Sequence, residues 1–127
     1  MRNMNKYCLF ILILFWALAI TSCVYHTEEE LYPPEPCDTS NVTYNAIVLP
    51  ILEQNCYECH DSANYQAISN ILLEGHENLL VQVTNGKLIS AITHDGNASF
   101  MPKDRPKLPD CDIAIIKKWV DIGAPDN

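Results

Sequence analysis

The sequence predicts an all-α fold, with roughly three to five short helices in one domain. Apolar residues recur at the spacing of amphipathic helices in four segments, which are residues 43–54, 77–83, 87–93 and 110–122. Turn and helix-stop signals built from glycine, proline and asparagine separate or end these segments. One short apolar stretch, Ile71-Leu72-Leu73, could form a strand. The pattern as a whole favours packed helices over a sheet.

The N-terminus has the pattern of a lipoprotein signal peptide. Arg2 and Lys6 precede an unbroken apolar run, Leu9–Ile20, which is shorter than the roughly 20 residues that cross a bilayer as a helix. The run ends at Ile20-Thr21-Ser22-Cys23, which resembles a lipobox, where small residues precede a lipidated cysteine. We therefore expect removal of residues 1–22 and a lipid on Cys23. An ordinary signal peptide or an uncleaved anchor are the alternatives, and each places the domain outside the cytoplasm, where disulfides form.

Residues 23–36 are predicted to be an extended tether between the lipid and the domain. Glu28-Glu29-Glu30 is a run of charge, and the proline-rich stretch 33–36 disfavours a helix. The residue after the lipobox cysteine is Val24, rather than the aspartate that marks retention in the inner membrane of some bacteria. We expect a lipid anchor in the outer membrane, with the domain, residues 37–127, facing the periplasm or the cell surface.

The domain begins with a helical segment that leads into the motif Cys56-Tyr57-Glu58-Cys59-His60. Pro50 interrupts this segment, so we expect a short helical turn and then a helix that enters at Pro50. C-x-x-C-H is the attachment pattern for c-type haem. Its two thiols can each add to a vinyl group of haem, and the histidine can bind the iron as an axial ligand. The motif predicts that Cys56 and Cys59 attach haem c covalently and that His60 binds its iron.

A second axial ligand is predicted in the proline-rich and charged loop 94–109, which follows a polar loop at 61–70 and two short helices. This loop contains Met101, the single methionine of the processed chain, followed by Pro102. A thioether is a soft donor that suits haem iron opposite a histidine. Met101 is therefore the expected ligand. His94, in the same loop, is its serious rival, although we prefer an exposed or cofactor-edge position for His94. His26, in the tether, and His76, which we expect on the surface at a helix start, are weaker candidates.

The last predicted helix, residues 110–122, follows this loop. Its apolar face includes Trp119, and Gly123 ends it. Because of their position near Met101, Lys103 and Arg105 are candidates to contact the carboxylates of haem, as is Trp119.

The six cysteines of the chain resolve into separate roles. Cys8 leaves with the signal segment, Cys23 is the expected lipid site, and the motif uses two more. Cys37 and Cys111 remain, as an even pair in an oxidising compartment. We therefore predict a Cys37–Cys111 disulfide.

The charge balance limits the possible partners. The chain has 16 acidic residues against 8 basic ones, which argues against nucleic-acid binding. Its length of 127 residues suits one domain. The expected partners are redox proteins, together with the membrane that holds the lipid.

These features resemble class I cytochrome c domains, in which a helix enters C-x-x-C-H, a Met-Pro loop follows late, and a helix with an aromatic residue ends the fold. The resemblance is narrower to small haem-binding lipoproteins of the Bacteroidetes type. It covers about residues 37–127 and is carried by Cys37-Asp38-Thr39-Ser40, Pro50-Ile51-Leu52, Met101-Pro102 and the ending 119–125. It implies a helical fold around covalent haem, with Cys56 and Cys59 as attachment points and His60 and Met101 as axial ligands.

Three functions follow from these residues. The leading one is a monohaem electron carrier that catalyses no bond change. The second is a haem-based enzyme of the peroxidase kind or a ligand sensor, which needs a labile iron position and an acid–base residue, for which His94 is the candidate. The third uses Cys56 and Cys59 without haem, as a redox dithiol or in a zinc site.

Overall fold

Six α-helices and one π-helical segment build the part of the chain that the structure, a computed structural model, describes: residues 37–127. No strand occurs within this part, and the predicted all-α class is confirmed for it. The predicted signal segment, the lipid on Cys23 and the tether at 23–36 lie outside the described residues.

The first helical segment has two parts, as the position of Pro50 predicted. A π-helical segment, Tyr44–Val48, continues directly into α1 (Leu49–Asn55). Pro50 lies in the first turn of α1, where its fixed φ suits the start of a helix. The N–H of Cys56 donates to the carbonyl of Leu52 over 2.8 Å, so the helix delivers the motif directly.

The motif itself folds as a single helical turn, α2 (Tyr57–His60). The following segment, predicted as loop over its whole length, contains another turn, α3 (Tyr65–Ile68). The carboxylate of Asp61 accepts the N–H of Asn64 over 2.7 Å and thereby turns the backbone into α3. The loop prediction missed this helix because four residues are too few to show an apolar period.

The two middle helices lie within one residue of their predicted bounds. They are α4 (His76–Thr84) and α5 (Lys87–Thr93), and Gly86 between them adopts φ +72°, which favours glycine. The last helix, α6 (Asp110–Asp121), begins after Pro109, whose side chain provides no cap. Among the helices of residues 37–127, none is long and apolar enough to cross a membrane.

The core joins the first and last helical segments around Trp119. The Trp119 ring stacks on Tyr44 with centroids 5.5 Å apart, and its Nε1–H donates to the carbonyl of Pro125 over 3.0 Å. His76 was predicted to lie on the surface at a helix start. It does begin α4, but it is half-buried, with Nε2 2.8 Å from the carbonyl of Ala124. The largest fully buried side chains are Trp119, Leu52, Leu79, Ile116 and Val48.

The two ends of the described chain are held together by covalent and polar contacts. The sulfurs of Cys37 and Cys111 are 2.11 Å apart, which is disulfide distance, in agreement with the pairing predicted from the cysteine count. The N–H of Asn45 donates to the carbonyl of Asn127 over 2.8 Å, and the N–H of Tyr44 donates to the Asn127 side chain over 2.9 Å. The start of the domain is thereby fixed to α6 and to the C-terminus.

Candidate functional site

A cavity of about 890 Å³ lies between the motif, helix α5 and the loop that contains Met101. Its volume falls in the range of roughly 300–1,000 Å³ that is usual for small-molecule and cofactor sites. The residues predicted to bind haem all line it: Cys56, Cys59, His60 and Met101. The fold therefore brings together two segments that are about 40 residues apart in the sequence.

His60 is held in one orientation at the cavity wall. It is only 7% exposed, and its Nδ1 lies 2.8 Å from the carbonyl oxygen of Ile71. Since a carbonyl can only accept, Nδ1 carries a proton, so in the neutral imidazole the lone pair lies on Nε2. Among residues 37–127, Nε2 has no hydrogen-bond partner. A neutral imidazole with an oriented Nδ1–H and a free Nε2 is the form that binds a metal.

The segment 69–73 fixes the carbonyl that orients His60. The Ser69 hydroxyl lies 2.8 Å from the carbonyl of Cys59 and 3.0 Å from that of Ile71. The N–H of Leu73 donates to the carbonyl of His60 over 2.9 Å. Residues 71–73, whose sequence allowed a strand, form none, and Ile71 and Leu73 line the cavity.

The two motif cysteines are half-buried and free, and they face the same cavity. One helical turn separates them, with the N–H of Cys59 donating to the carbonyl of Cys56 over 3.1 Å. Burial raises the pKa of the Cys56 thiol to about 11, so this thiol is neutral near pH 7. A reactive dithiol needs a lowered thiol pKa, and Cys56 has the opposite.

A structural zinc site has no support among residues 37–127. Three or more histidine, cysteine, aspartate or glutamate side chains nowhere come together there in a group that could hold a metal ion. Such a site needs four ligands in a tetrahedral arrangement. The motif cysteines therefore lack the additional ligands that this alternative requires.

Met101 reaches the cavity from a loop whose backbone is held on both sides. Its N–H donates to the carbonyl of Ala91 in α5 over 3.0 Å, and its carbonyl oxygen lies 2.9 Å from Nε2 of His94. The side chain is half-buried at the cavity wall. His94 itself does not line the cavity, so the structure gives no support to it as the rival ligand.

Basic side chains line the mouth of the cavity. Lys87, Lys103 and Arg105 are among its lining residues, whereas Trp119 is not, because Trp119 is fully buried in the core. The structure therefore gives no support to Trp119 as a candidate contact for haem carboxylates. Arg105 forms an ion pair with Glu58 of the motif, which joins the Met101 loop to α2.

One wall of the cavity was missed by the sequence analysis. Leu88, Ala91 and Ile92 of α5 line it, and Ile68 of α3 adds an exposed apolar side chain at its edge. The apolar period of α5 identifies a buried face, but a face that packs on core and a face that packs on a cofactor have the same period. The sequence carried no signal that separates the two.

Comparison with known proteins provides no relative that could assign the site. No protein-family model, no curated protein and no solved structure matches this chain. The residues of the cavity fit a covalent haem on their own chemistry, since they combine two thiols, an imidazole with a free Nε2, and a thioether. Apolar residues of α5 complete a wall suited to a large flat apolar ring.

Proposed function

We propose that this chain is a monohaem c-type cytochrome that transfers electrons. The observation that carries the proposal is that Cys56, Cys59, His60 and Met101 line one cavity of about 890 Å³. Cys56 and Cys59 would form the thioether bonds, and His60 and Met101 would be the axial ligands. When bound, the haem supplies an iron that exchanges one electron between its ferrous and ferric states.

The protein residues then have separate tasks. Ile71 accepts the Nδ1–H of His60 and so leaves Nε2 as the nitrogen that would bind the iron. The apolar side chains of α5 exclude water from one wall, and a thioether opposite an imidazole favours a higher reduction potential than two nitrogen ligands. If His60 and Met101 both bind the iron, no position on it would be open to a substrate.

We also propose the cellular setting that the N-terminal sequence predicts. A lipid on Cys23 would anchor the protein to the outer membrane, with the domain facing the periplasm or the cell surface. Its partners would be redox proteins rather than nucleic acids, since the chain has a formal net charge of −8.

The direct test is a pyridine haemochrome spectrum of the protein purified from a host that attaches haem c. We expect the spectrum of haem held by two thioether bonds, with haem retained on the chain after denaturing electrophoresis. The variant in which Cys56 and Cys59 are both alanine should lose the retained haem. A wild-type chain without covalent haem would overturn the proposal.

The axial ligand is tested with Met101→Ala and the control Lys103→Ala, which changes another cavity residue of the same loop. Met101→Ala should give a high-spin ferric spectrum and a lower reduction potential, because the thioether is lost. Lys103→Ala should keep the low-spin spectrum. An unchanged spectrum in Met101→Ala would exclude this ligand.

The alternative of a haem enzyme or ligand sensor has weaker support. It needs an acid–base side chain beside an open iron position. His94 was the candidate, and its Nε2 is instead used at the Met101 carbonyl, away from the cavity wall. Rapid carbon monoxide binding to the ferrous wild-type protein would favour this alternative.

A further inference from the structure

His94 ends helix α5 in the left-handed backbone conformation, which is uncommon for residues other than glycine. It is the C-cap, with φ +60° and ψ +39°, and its N–H donates to the carbonyl of Ser90. Glycine is the usual residue in this conformation, since it has no Cβ to be strained there. A histidine at this position raises the question of which contacts its imidazole makes.

The imidazole contacts the backbone of the loop that carries the proposed ligand. Its Nε2 lies 2.9 Å from the carbonyl oxygen of Met101, and its ring stacks on Phe100 with centroids 4.6 Å apart and an interplanar angle of 9°. Since the carbonyl can only accept, Nε2 is the donor. His94 thus holds both Met101 and the residue before it.

The turn that follows His94 keeps the imidazole in place. The carboxylate of Asp95 accepts the Ser90 hydroxyl and, over 2.9 Å, the N–H of Asn97. The Lys87 ammonium donates to the carbonyl of Asn97 over 2.5 Å. These contacts tie the turn back onto α5, so that His94 is fixed relative to the helix that forms the cavity wall.

We propose that His94 is a positioning residue that holds Met101 at the cavity through its carbonyl. Together with the N–H bond from Met101 to Ala91, the His94 contact holds both backbone polar groups of the ligand residue on α5. His94 does not itself line the cavity and is not a ligand. The role as support of an iron ligand rests on the proposed function, whereas the holding of the loop does not.

The test compares His94→Gly with Asp104→Gly. Asp104 also has a positive φ, of 58°, and lies in the same loop, but its exposed side chain does not contact the Met101 backbone. Both variants relieve a left-handed backbone and add the same freedom to the unfolded chain. Only His94→Gly removes the donor to Met101.

Two measurements on the full chain separate the possible outcomes. Amide hydrogen exchange of Met101 should become about twofold to tenfold faster in His94→Gly and stay at the wild-type rate in Asp104→Gly. Imidazole added to the ferric protein should displace Met101 with an affinity about twofold to tenfold higher in His94→Gly alone. Equal exchange rates in both variants would overturn the holding role, whatever the haem content. A protein without covalent haem would overturn the proposed function, and with it the support of an iron ligand, while the exchange result still decides the holding role.

Discussion

Removal of the Cys37–Cys111 bridge should lower the melting temperature of the domain by about 20 °C. The bridged residues are 74 positions apart in the sequence. In the chain-entropy model, closing a loop of that length stabilises the folded state by roughly 4 kcal/mol. For a domain of this size, 1 kcal/mol corresponds to about 4–8 °C in melting temperature. The lower end of that range gives a fall of about 16 °C and the middle of the range a fall of about 24 °C, so we expect a value between them.

The contacts that hold the chain ends together should survive in the variant. Asn127 accepts the N–H groups of Tyr44 and Asn45, and Tyr44 stacks on Trp119, without help from the bridge. The loss therefore acts mainly on the unfolded chain, which gains conformations. The variant should keep the helical circular dichroism of the wild type at low temperature and lose it earlier on heating.

The assay is urea and thermal unfolding of the protein in which Cys37 and Cys111 are both serine. The denaturant slope should rise together with the fall in midpoint, because an unbridged unfolded chain exposes more surface. Wild-type protein treated with a reductant should match the variant. Equal midpoints and equal slopes in wild type and variant under oxidising conditions would refute the reasoning.

Three further predictions concern the core, an ion pair and a titrating loop. Leu79→Ala should cost about 2–5 kcal/mol in urea unfolding, since Leu79 is 0% exposed, whereas Val81→Ala on the same helix, 58% exposed, should cost under about 0.5 kcal/mol. Glu58→Gln breaks the ion pair with Arg105 and should cost at most about 1 kcal/mol, less at high salt, because both side chains are exposed; a loss of several kcal/mol would contradict this. The pKa of Asp95 is lowered, mainly by the hydrogen bond from the Ser90 hydroxyl. The ionised Asp95 carboxylate therefore stabilises the fold above the ordinary pKa of 3.8, and this stabilisation is lost as pH falls through the lowered pKa. The Asp95→Asn variant should therefore lose less stability than wild type between about pH 5 and about pH 2, as urea midpoints would show.

The helices were predictable where an apolar face and a stop signal coincide. The segment Lys87–Thr93 has the predicted bounds, and the last helix ends one residue early, at Asp121. Helix α3 was missed because it has only four residues, too few to show an apolar period, and its start depends on the Asp61 side chain. The surface position predicted for His76 rested on its polar side chain. That side chain is half-buried because it contacts the carbonyl of Ala124, which is distant in the sequence.

The residues of the site differ in how far a sequence can identify them. Cys56, Cys59 and His60 stand in a fixed local pattern, and Met101 is distinguished by being the single methionine after residue 4. Each supplies a donor atom from its side chain, and donor chemistry is readable from residue type. Their meeting in one cavity depends on the fold, which no local pattern contains.

The groups that orient these donor residues are mostly backbone carbonyls, which residue type does not identify. His60 is oriented by the backbone carbonyl of Ile71, and Met101 by that of Ala91. Every residue type has the same backbone carbonyl, so the residue types of Ile71 and Ala91 could not identify these positions. His94 is the exception, because a side chain does the holding, and its left-handed backbone gives a conformational reason to suspect it. The positive φ of His94 is known only from the structure. The sequence could therefore suggest His94 as a rival ligand but not as a residue that positions Met101.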